Sequence, residues 1–450
     1  MKRIYITILL GIGGLLSGCD SYIDLKPDKS QAIPATLQDA QALMSTSLVA
    51  GGFPRAIEIS SDDYTLTLAA YNSRTPADRQ THIWQSDADI NGANWRTPYS
   101  FLIYANQSLE TLAKLSPTVS EQADWNRTKG AALLYRGITF FNLAQVFTLP
   151  YDPATAGQEL GIPLKLSASL SEPISRGTLQ ATYDRILQDL QETLPLLPDV
   201  EPSDIPSRTV PRPVRAAAHA MLARVYLSMG DYPNALMHAD ACLQRYSTLL
   251  DFKDLNASSN NPIAQYNSEV LYSYQGTATV PISQGRVPMS LYNSYQSGDL
   301  RKQVFFRLNA DQSYSFKGAY VPGSVFSGFA TNEIYLIRAE CRARAGNTAL
   351  AMADLNLLLS KRWDNTFVPL TAPNADVALD LIIAERRKEL PYRGLRWMDL
   401  RRLNRDPRYA TTLTRVIDGQ TYTLLPNDLR YALLIPQQVL ERVDLPQNRR

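Results

Sequence analysis

Cysteine, histidine and long apolar runs are what this chain has little of. Three cysteines fall in 450 residues, at positions 19, 242 and 341, too few for the disulfide framework on which small exported domains depend. The three histidines, His82, His219 and His238, stand apart in sequence and offer no zinc-ligand spacing. Neither a G-x-S-x-G elbow nor a phosphate-binding glycine loop occurs, so nucleophile and nucleotide chemistries lack a motif and no cofactor or metal is expected. Charge is balanced, 45 Lys and Arg against 43 Asp and Glu, which gives no overall pull toward nucleic acid or anionic lipid. The apolar run Ile4 to Leu16 is thirteen residues long, short of the roughly 20 a membrane-spanning helix needs.

That run follows Lys2 and Arg3 and ends in Leu16-Ser17-Gly18 directly before Cys19, the three-part layout of a secretory signal. Small residues before a cysteine resemble the bacterial lipoprotein box, whose thiol receives a diacylglyceryl group. An ordinary secretory signal with an incidental cysteine is the plainer alternative. The expected organisation is a signal peptide over 1–18, a tether over 19–31 after lipidated Cys19, and a folded body over 32–450. Acyl chains contribute about 0.8 kcal/mol per buried CH₂, so several on one residue would hold the protein at a membrane.

The body reads as helix pairs. In Pro213 to Tyr246, Ala216, Ala220, Ala223 and Leu227 share one helical face. Gly230-Asp231 interrupts the pattern, Pro233 can open a second helix, and Ala235, Ala239 and Cys242 then share a face. Small residues facing each other allow the close approach of a tetratricopeptide hairpin. The pattern returns 116 residues later, with Gly346-Asn347 at the turn and Ala339, Ala343 and Ala351 at equivalent positions. Further helices are expected over Pro98 to Leu115, Glu121 to Phe147 and Thr178 to Leu197. The fold expected is mostly α: a tetratricopeptide-like repeat scaffold with hairpins over about 98–147, 178–246 and 332–361, long irregular loops and a few short strands. Leu149 to Gly177, the proline-rich Pro198 to Pro213 and the segment Asp251 to Ala330 read as non-helical. In the last, Glu269 to Tyr274 and Ala319 to Val325 are the candidate strands.

Four blocks carry a family resemblance. Trp95, Tyr99, Ile103 and Asn106 follow a W-x₃-Y-x₃-I-x-x-N pattern; the two repeats come next, the second opening Glu333-Ile334-Tyr335-Leu336-Ile337-Arg338-Ala339-Glu340. Glu385-Arg386-Arg387-Lys388-Glu389-Leu390 and Gly394-Leu395-Arg396-Trp397-Met398-Asp399-Leu400-Arg401-Arg402 form the most specific block, and Leu434-Ile435-Pro436-Gln437 with Gln447-Asn448 close the chain. Together these resemble the SusD/RagB family of outer-membrane nutrient-uptake lipoproteins. The tail departs from the family's pattern, with Val443 where an asparagine is usual and a spacing one residue short. The resemblance implies a non-enzymatic lipoprotein of the cell outer membrane, facing outward, that captures a ligand and delivers it to a SusC-like TonB-dependent transporter. Family members bind starch, other glycans or peptides, so a peptide ligand is the alternative to a glycan.

Sugar rings present an apolar C–H face, so a glycan site wants exposed aromatic platforms ringed by amides, carboxylates or arginines. Two insertions combine these, at about 60–97 and 251–330. The first holds Asp62, Asp63, Tyr64, Tyr71, Asn72, Trp84 and Trp95; the second holds Tyr272, Tyr274, Tyr292, Asn293, Tyr295 and Tyr320. Taken singly, each aromatic is better explained by packing beneath a loop; as a group, within a chain of 24 tyrosines, they point to ligand binding. A glycosidase would need paired carboxylates, which Asp62, Asp63, Asp87 and Asp89 could supply only with a geometry that adjacency does not show. A structural tetratricopeptide adaptor is a third reading. The arginines around Trp397 invite a nucleic-acid reading, but Glu385, Glu389 and Asp399 lie among them at helical pairing distances, which favours a salt-bridged structural helix and no nucleic acid. Trp397 is expected to pack inside, with a partner for its indole N–H.

Overall fold

Helices form where the apolar periodicity places them. The computed structural model describes residues 34–45, 52–199, 212–274 and 284–450; the signal segment 1–18, the tether 19–31 and Cys19 lie outside the described residues. In chain order the helices are α1 (Leu37–Ser45), α2 (Ala56–Ser60), α3 (Leu68–Asn72), α4 (Pro76–His82), α5 (Ala93–Ala113), α6 (Gln122–Phe147), α7 (Leu179–Thr193) and α8 (Arg215–Met229). They continue with α9 (Tyr232–Arg245), α10 (Met289–Asn293), α11 (Arg301–Phe305), α12 (Thr331–Arg344), α13 (Thr348–Ser360), α14 (Ala375–Glu389), α15 (Arg396–Leu403) and α16 (Gln437–Leu440). The strands form two-stranded antiparallel ribbons: β1 (Leu160–Pro163) with β2 (Arg176–Thr178), β3 (Val270–Tyr272) with β6 (Phe329–Ala330), β4 (Phe306–Leu308) with β5 (Tyr314–Phe316), and β7 (Leu413–Ile417) with β8 (Gln420–Leu424). The fold is mostly α, with a tetratricopeptide-like scaffold.

Helix α5 packs on α6, α6 on α7, α8 on α9 and α12 on α13, while contacts of α9 with α12 and of α12 with α14 join the pairs. From Ala132 to Phe147 α6 is buried on every side, the mark of a helix wrapped by others. The two repeat turns share one geometry. Gly230 sits at φ +78° and Gly346 at φ +81°, left-handed values that cost a residue with a Cβ about 1–2 kcal/mol. The Asp231 N–H donates to the Tyr226 carbonyl at 3.0 Å and the Asn347 N–H to the Arg342 carbonyl at 2.9 Å, so each helix closes in the same way. The copies differ in how the second helix starts: the Asp231 carboxylate accepts from the Asn234 N–H at 3.2 Å, whereas Asn347 makes no side-chain cap.

Several elements depart from the sequence reading. Helix α5 starts at Ala93 rather than Pro98, because the Asn91 side chain accepts the Ala93 N–H at 2.9 Å and begins the helix ahead of the proline. Within Asp251 to Ala330, read as non-helical, α10 and α11 form single turns, and Ala319–Val325 is a turn around Pro322-Gly323 rather than a strand.

The interior falls into two hydrophobic clusters. One runs through the helix pairs; the other, in the insertions, is built around Tyr64, Tyr295, Phe305, Phe306, Phe316 and Tyr320. The arginine-rich block is internal. Arg386 pairs with Asp399 at 2.8 Å, and Arg402 bridges Asp399 (2.8 Å) and Glu340 of α12 (2.6 Å). Glu389 accepts from Arg362 (2.8 Å), Arg301 (3.1 Å) and Asn332 (2.8 Å). Trp397 is fully buried; its indole N–H donates to the Gln145 carbonyl at 3.3 Å and its ring stacks on Tyr431. The tail is tied back by Gln447, which exchanges two 2.8 Å bonds with the Ile435 backbone, and by Asn448, which donates to the Leu433 carbonyl at 2.7 Å.

Candidate functional site

Most of the rings singled out from sequence lie inside. Tyr64 and Trp84 are buried and flank the guanidinium of Arg415, a residue of β7, which stands 5.6 Å from the Tyr64 ring centre and 4.4 Å from that of Trp84. The Trp84 indole donates to the Ser60 carbonyl at 2.9 Å. Tyr295 donates to the Lys388 carbonyl at 2.7 Å, Tyr320 to the Glu269 carboxylate, and Tyr272 and Tyr274 pack without exposure in the helical core. No ligand reaches these rings in this conformation, so Tyr64, Trp84, Tyr272, Tyr274, Tyr295 and Tyr320 serve packing.

The acidic pair is also structural. Asp63 is fully buried, bonded to Arg387 and accepting the Tyr392 N–H at 2.8 Å. Asp62, partly exposed, takes Arg396 in a fork at 2.6 and 3.0 Å. Burial works to raise the Asp62 carboxyl, but Arg396 and Arg387 outweigh it and hold the group well below the usual carboxylate range. Burial, with the Asp63 charge second, pushes the neighbouring Glu58 carboxyl well up. That carboxyl accepts the N–H of Gly394 at 3.0 Å, and Gly394 is held at φ +66° with the Phe53 ring where a Cβ would stand. Asp87 accepts from the Gln85 amide at 2.8 Å and Asp89 from the Gln437 N–H at 2.9 Å. A buried clasp between α2, α14 and α15 results, and each of Asp62, Asp63, Asp87 and Asp89 is engaged by a donor.

What remains at the surface is an unexpected symmetry. Thr65 and Arg286 pair as an antiparallel bridge, each N–H donating to the other's carbonyl at 2.8 Å. Each segment then runs into a one-turn helix, α3 or α10, and each helix ends in Tyr-Asn: Tyr71-Asn72 and Tyr292-Asn293. Both helices open with an exposed apolar residue, Leu68 and Met289. Asn72 and Asn293 are exposed and the two tyrosines half-exposed. The two segments are linked by Arg74, which donates to the Gln284 amide oxygen at 2.6 Å. Tyr292 stacks on Tyr314 with ring centres 3.6 Å apart, and Lys302 lies 4.6 Å from the Tyr292 centre. Burial, then the bond with Tyr314, pushes the Tyr292 hydroxyl up to about 12, so it stays a neutral donor and acceptor. Half-exposed rings, exposed apolar carbons and exposed amides on one pair of linked segments suit a ligand with both C–H faces and hydroxyls. Sequence reading missed Tyr314, Leu68, Met289 and Lys302; the signal was the likeness of Leu68-Ala-Ala-Tyr-Asn72 to Met289-Ser-Leu-Tyr-Asn293.

Trp95 is drawn elsewhere. With Tyr99 and Ile103 it lines a cleft of about 460 Å³ closed by the 165–174 loop and α16. The Tyr99 hydroxyl donates to the Pro163 carbonyl of β1 at 2.8 Å, and the Asn106 amide donates to the carbonyls of Lys165 (3.0 Å) and Ser167 (3.2 Å), so these two residues of the pattern tie down β1 and the start of that loop. His219 and His238, isolated in sequence, meet across the α8–α9 hairpin with their Nδ1 atoms 3.0 Å apart.

Two family models match the chain. One, described as starch-binding and associating with the outer membrane, covers residues 21–227; the other, the SusD family, covers residues 329–430. SusD-like protein P2 of Formosa agariphila is 24% identical over 385 residues, 70% of this chain and 72% of its own length. A SusD superfamily structure from Bacteroides thetaiotaomicron matches with a TM-score of 0.74 at 22% identity, covering 92% of this chain and 100% of that one. Surface glycan-binding protein A from Bacteroides uniformis matches with a TM-score of 0.69 at 17% identity, covering 92% and 98%.

Proposed function

Since the chain belongs to the SusD/RagB family, we propose that it is a cell-surface binding lipoprotein, anchored through Cys19 to the outer membrane, that captures a glycan and passes it unaltered to a SusC-like TonB-dependent transporter. The observation that carries the glycan reading is the pair of Tyr-Asn turns: half-exposed Tyr71 and Tyr292, exposed Asn72 and Asn293, and the Tyr292–Tyr314 stack. The family descriptions and the glycan-binding protein of Bacteroides uniformis agree with it. Binding without turnover is supported by the engagement of Asp62 and Asp63 with arginines, which leaves them unsuited to act as a hydrolase's acid and base. Affinity from a few ring contacts is modest, which suits a carrier that must release its cargo.

Titration calorimetry against a panel of oligo- and polysaccharides tests this reading. One or more glycans bind, Tyr292→Ala weakens binding about tenfold, equivalent to about 1.4 kcal/mol, and no product accumulates over long incubation. Binding of peptides alone, or release of shorter sugars, overturns it. The anchor is tested by the mass of the N-terminal peptide, and the transporter by co-purification of a barrel with the lipidated protein.

A further inference from the structure

The cleft that takes Trp95 differs in chemistry from the Tyr-Asn face. Its apolar lining is Ile103, Leu170, Ile174, Val439 and Val443 beside the rings of Trp95 and Tyr99, with Ser100 and Gln438 among them. Val443 is the position at which the tail departs from the family's pattern, and the departure adds to this lining. Leu170 is 82% exposed in the loop that walls the cleft, an aliphatic side chain left to water unless something covers it. Two exposed arginines, Arg96 and Arg442, also line the cleft. Among the described residues neither makes an ion pair, while the cleft's own carboxylate, Glu172, is taken by Lys165 at 2.8 Å. Two positive charges therefore border the apolar lining without an ion-pair partner among the described residues.

Ser100 and Gln438 could bond a few hydroxyls of a sugar, but the branched aliphatic carbons of Ile103, Leu170, Ile174, Val439 and Val443 could not. An apolar side chain fits that surface, and carboxylates beside it would meet Arg96 and Arg442. From this charge complementarity we infer that the cleft docks a peptide segment of a protein partner in which an apolar side chain is flanked by acidic residues. The site is separate from the Tyr-Asn face and does not depend on the glycan reading.

The test uses the full folded chain and three fluorescent octapeptides: leucine and phenylalanine flanked by glutamates, the same pair flanked by lysines, and serines flanked by glutamates. Anisotropy titration is expected to give at least tenfold tighter binding of the first than of either control. Because Arg96 and Arg442 are exposed and make no ion pair among the described residues, the double variant Arg96→Glu, Arg442→Glu keeps the fold, checked by circular dichroism, and shifts preference toward the lysine-flanked peptide. Leu170→Ser weakens the acidic peptide severalfold, and Tyr292→Ala leaves it unchanged. Equal binding of the three peptides, or a double variant with unaltered preference, overturns the proposal. So does a neutral oligosaccharide that displaces the peptide and whose own binding is lost in Leu170→Ser, since that result would give the cleft to sugar.

Discussion

At the α8–α9 hairpin the interior is lined by small residues, with Ala216, Ala220, Ala223, Ala235 and Ala239 covered, although rings such as Phe140, Phe141 and Trp397 fill other parts of the helical core. In the insertions it is made of rings, Tyr64, Tyr295, Phe305, Phe306, Phe316 and Tyr320, with tyrosine hydroxyls bonded to backbone or carboxylate. Alanine faces let backbones approach until nothing protrudes. Rings are too large for short loops to cover completely, and the outermost, Tyr71, Tyr292 and Tyr314, stay half in water. The proposed binding face is thus the outcrop of a packed core, and the rings that touch ligand are held in place before it arrives.

The comparison can be broken at several points. The largest effect is expected where the two regions meet. Arg301 is fully buried between Asp299 (2.6 Å), Glu385 (2.6 Å) and Glu389 (3.1 Å), so Arg301→Ala strands carboxylates in the interior and costs about 3–5 kcal/mol in urea unfolding. Next comes Tyr295→Ala, which empties the ring core and costs about 3 kcal/mol, while Tyr292→Ala at the rim costs about 1 kcal/mol or less. Equal losses at these two positions would erase the distinction between core and outcrop. Gly230→Ala forces a left-handed turn on a side chain and costs about 1–2 kcal/mol in the helical region alone.

The last effect is a slope. Burial, together with the neighbouring ring for His219, holds His219 and His238 down to about 4, against about 6.5 in an unfolded chain. The unfolded state then takes up protons first, so stability present above pH 6.5 is lost as pH falls toward 4. His238→Asn flattens that slope relative to the parent chain, read from urea midpoints at pH 7, 5.5 and 4.5. An unchanged slope shows that the pair does not report on the hairpin.

Much of the scaffold was legible because its cause is local: alanine spacing, Gly230-Asp231 and Gly346-Asn347 state the hairpins within a few residues of sequence. Helix α5 was misplaced at its start because Asn91, one residue before the N-cap Gly92, takes the Ala93 N–H and the helix then runs on through Pro98. The role of the arginine block was legible too, since its acidic partners are interleaved. The site was legible only in outline. Tyrosines in polar, turn-rich segments look alike whether they end inside or outside, and the choice is made by pairings across the chain, such as Thr65 with Arg286 and Arg415 against Trp84, which one sequence does not display. The same holds for His219 and His238, whose meeting follows only once the hairpin is drawn.

The most direct test titrates one bound glycan against three proteins: the parent, Tyr292→Ala and Tyr295→Phe. The account predicts about tenfold weaker binding for Tyr292→Ala with its melting temperature nearly unchanged, and for Tyr295→Phe full affinity with lowered stability from the lost bond to the Lys388 carbonyl. Full affinity in Tyr292→Ala, or lost affinity in a folded Tyr295→Phe, would contradict it.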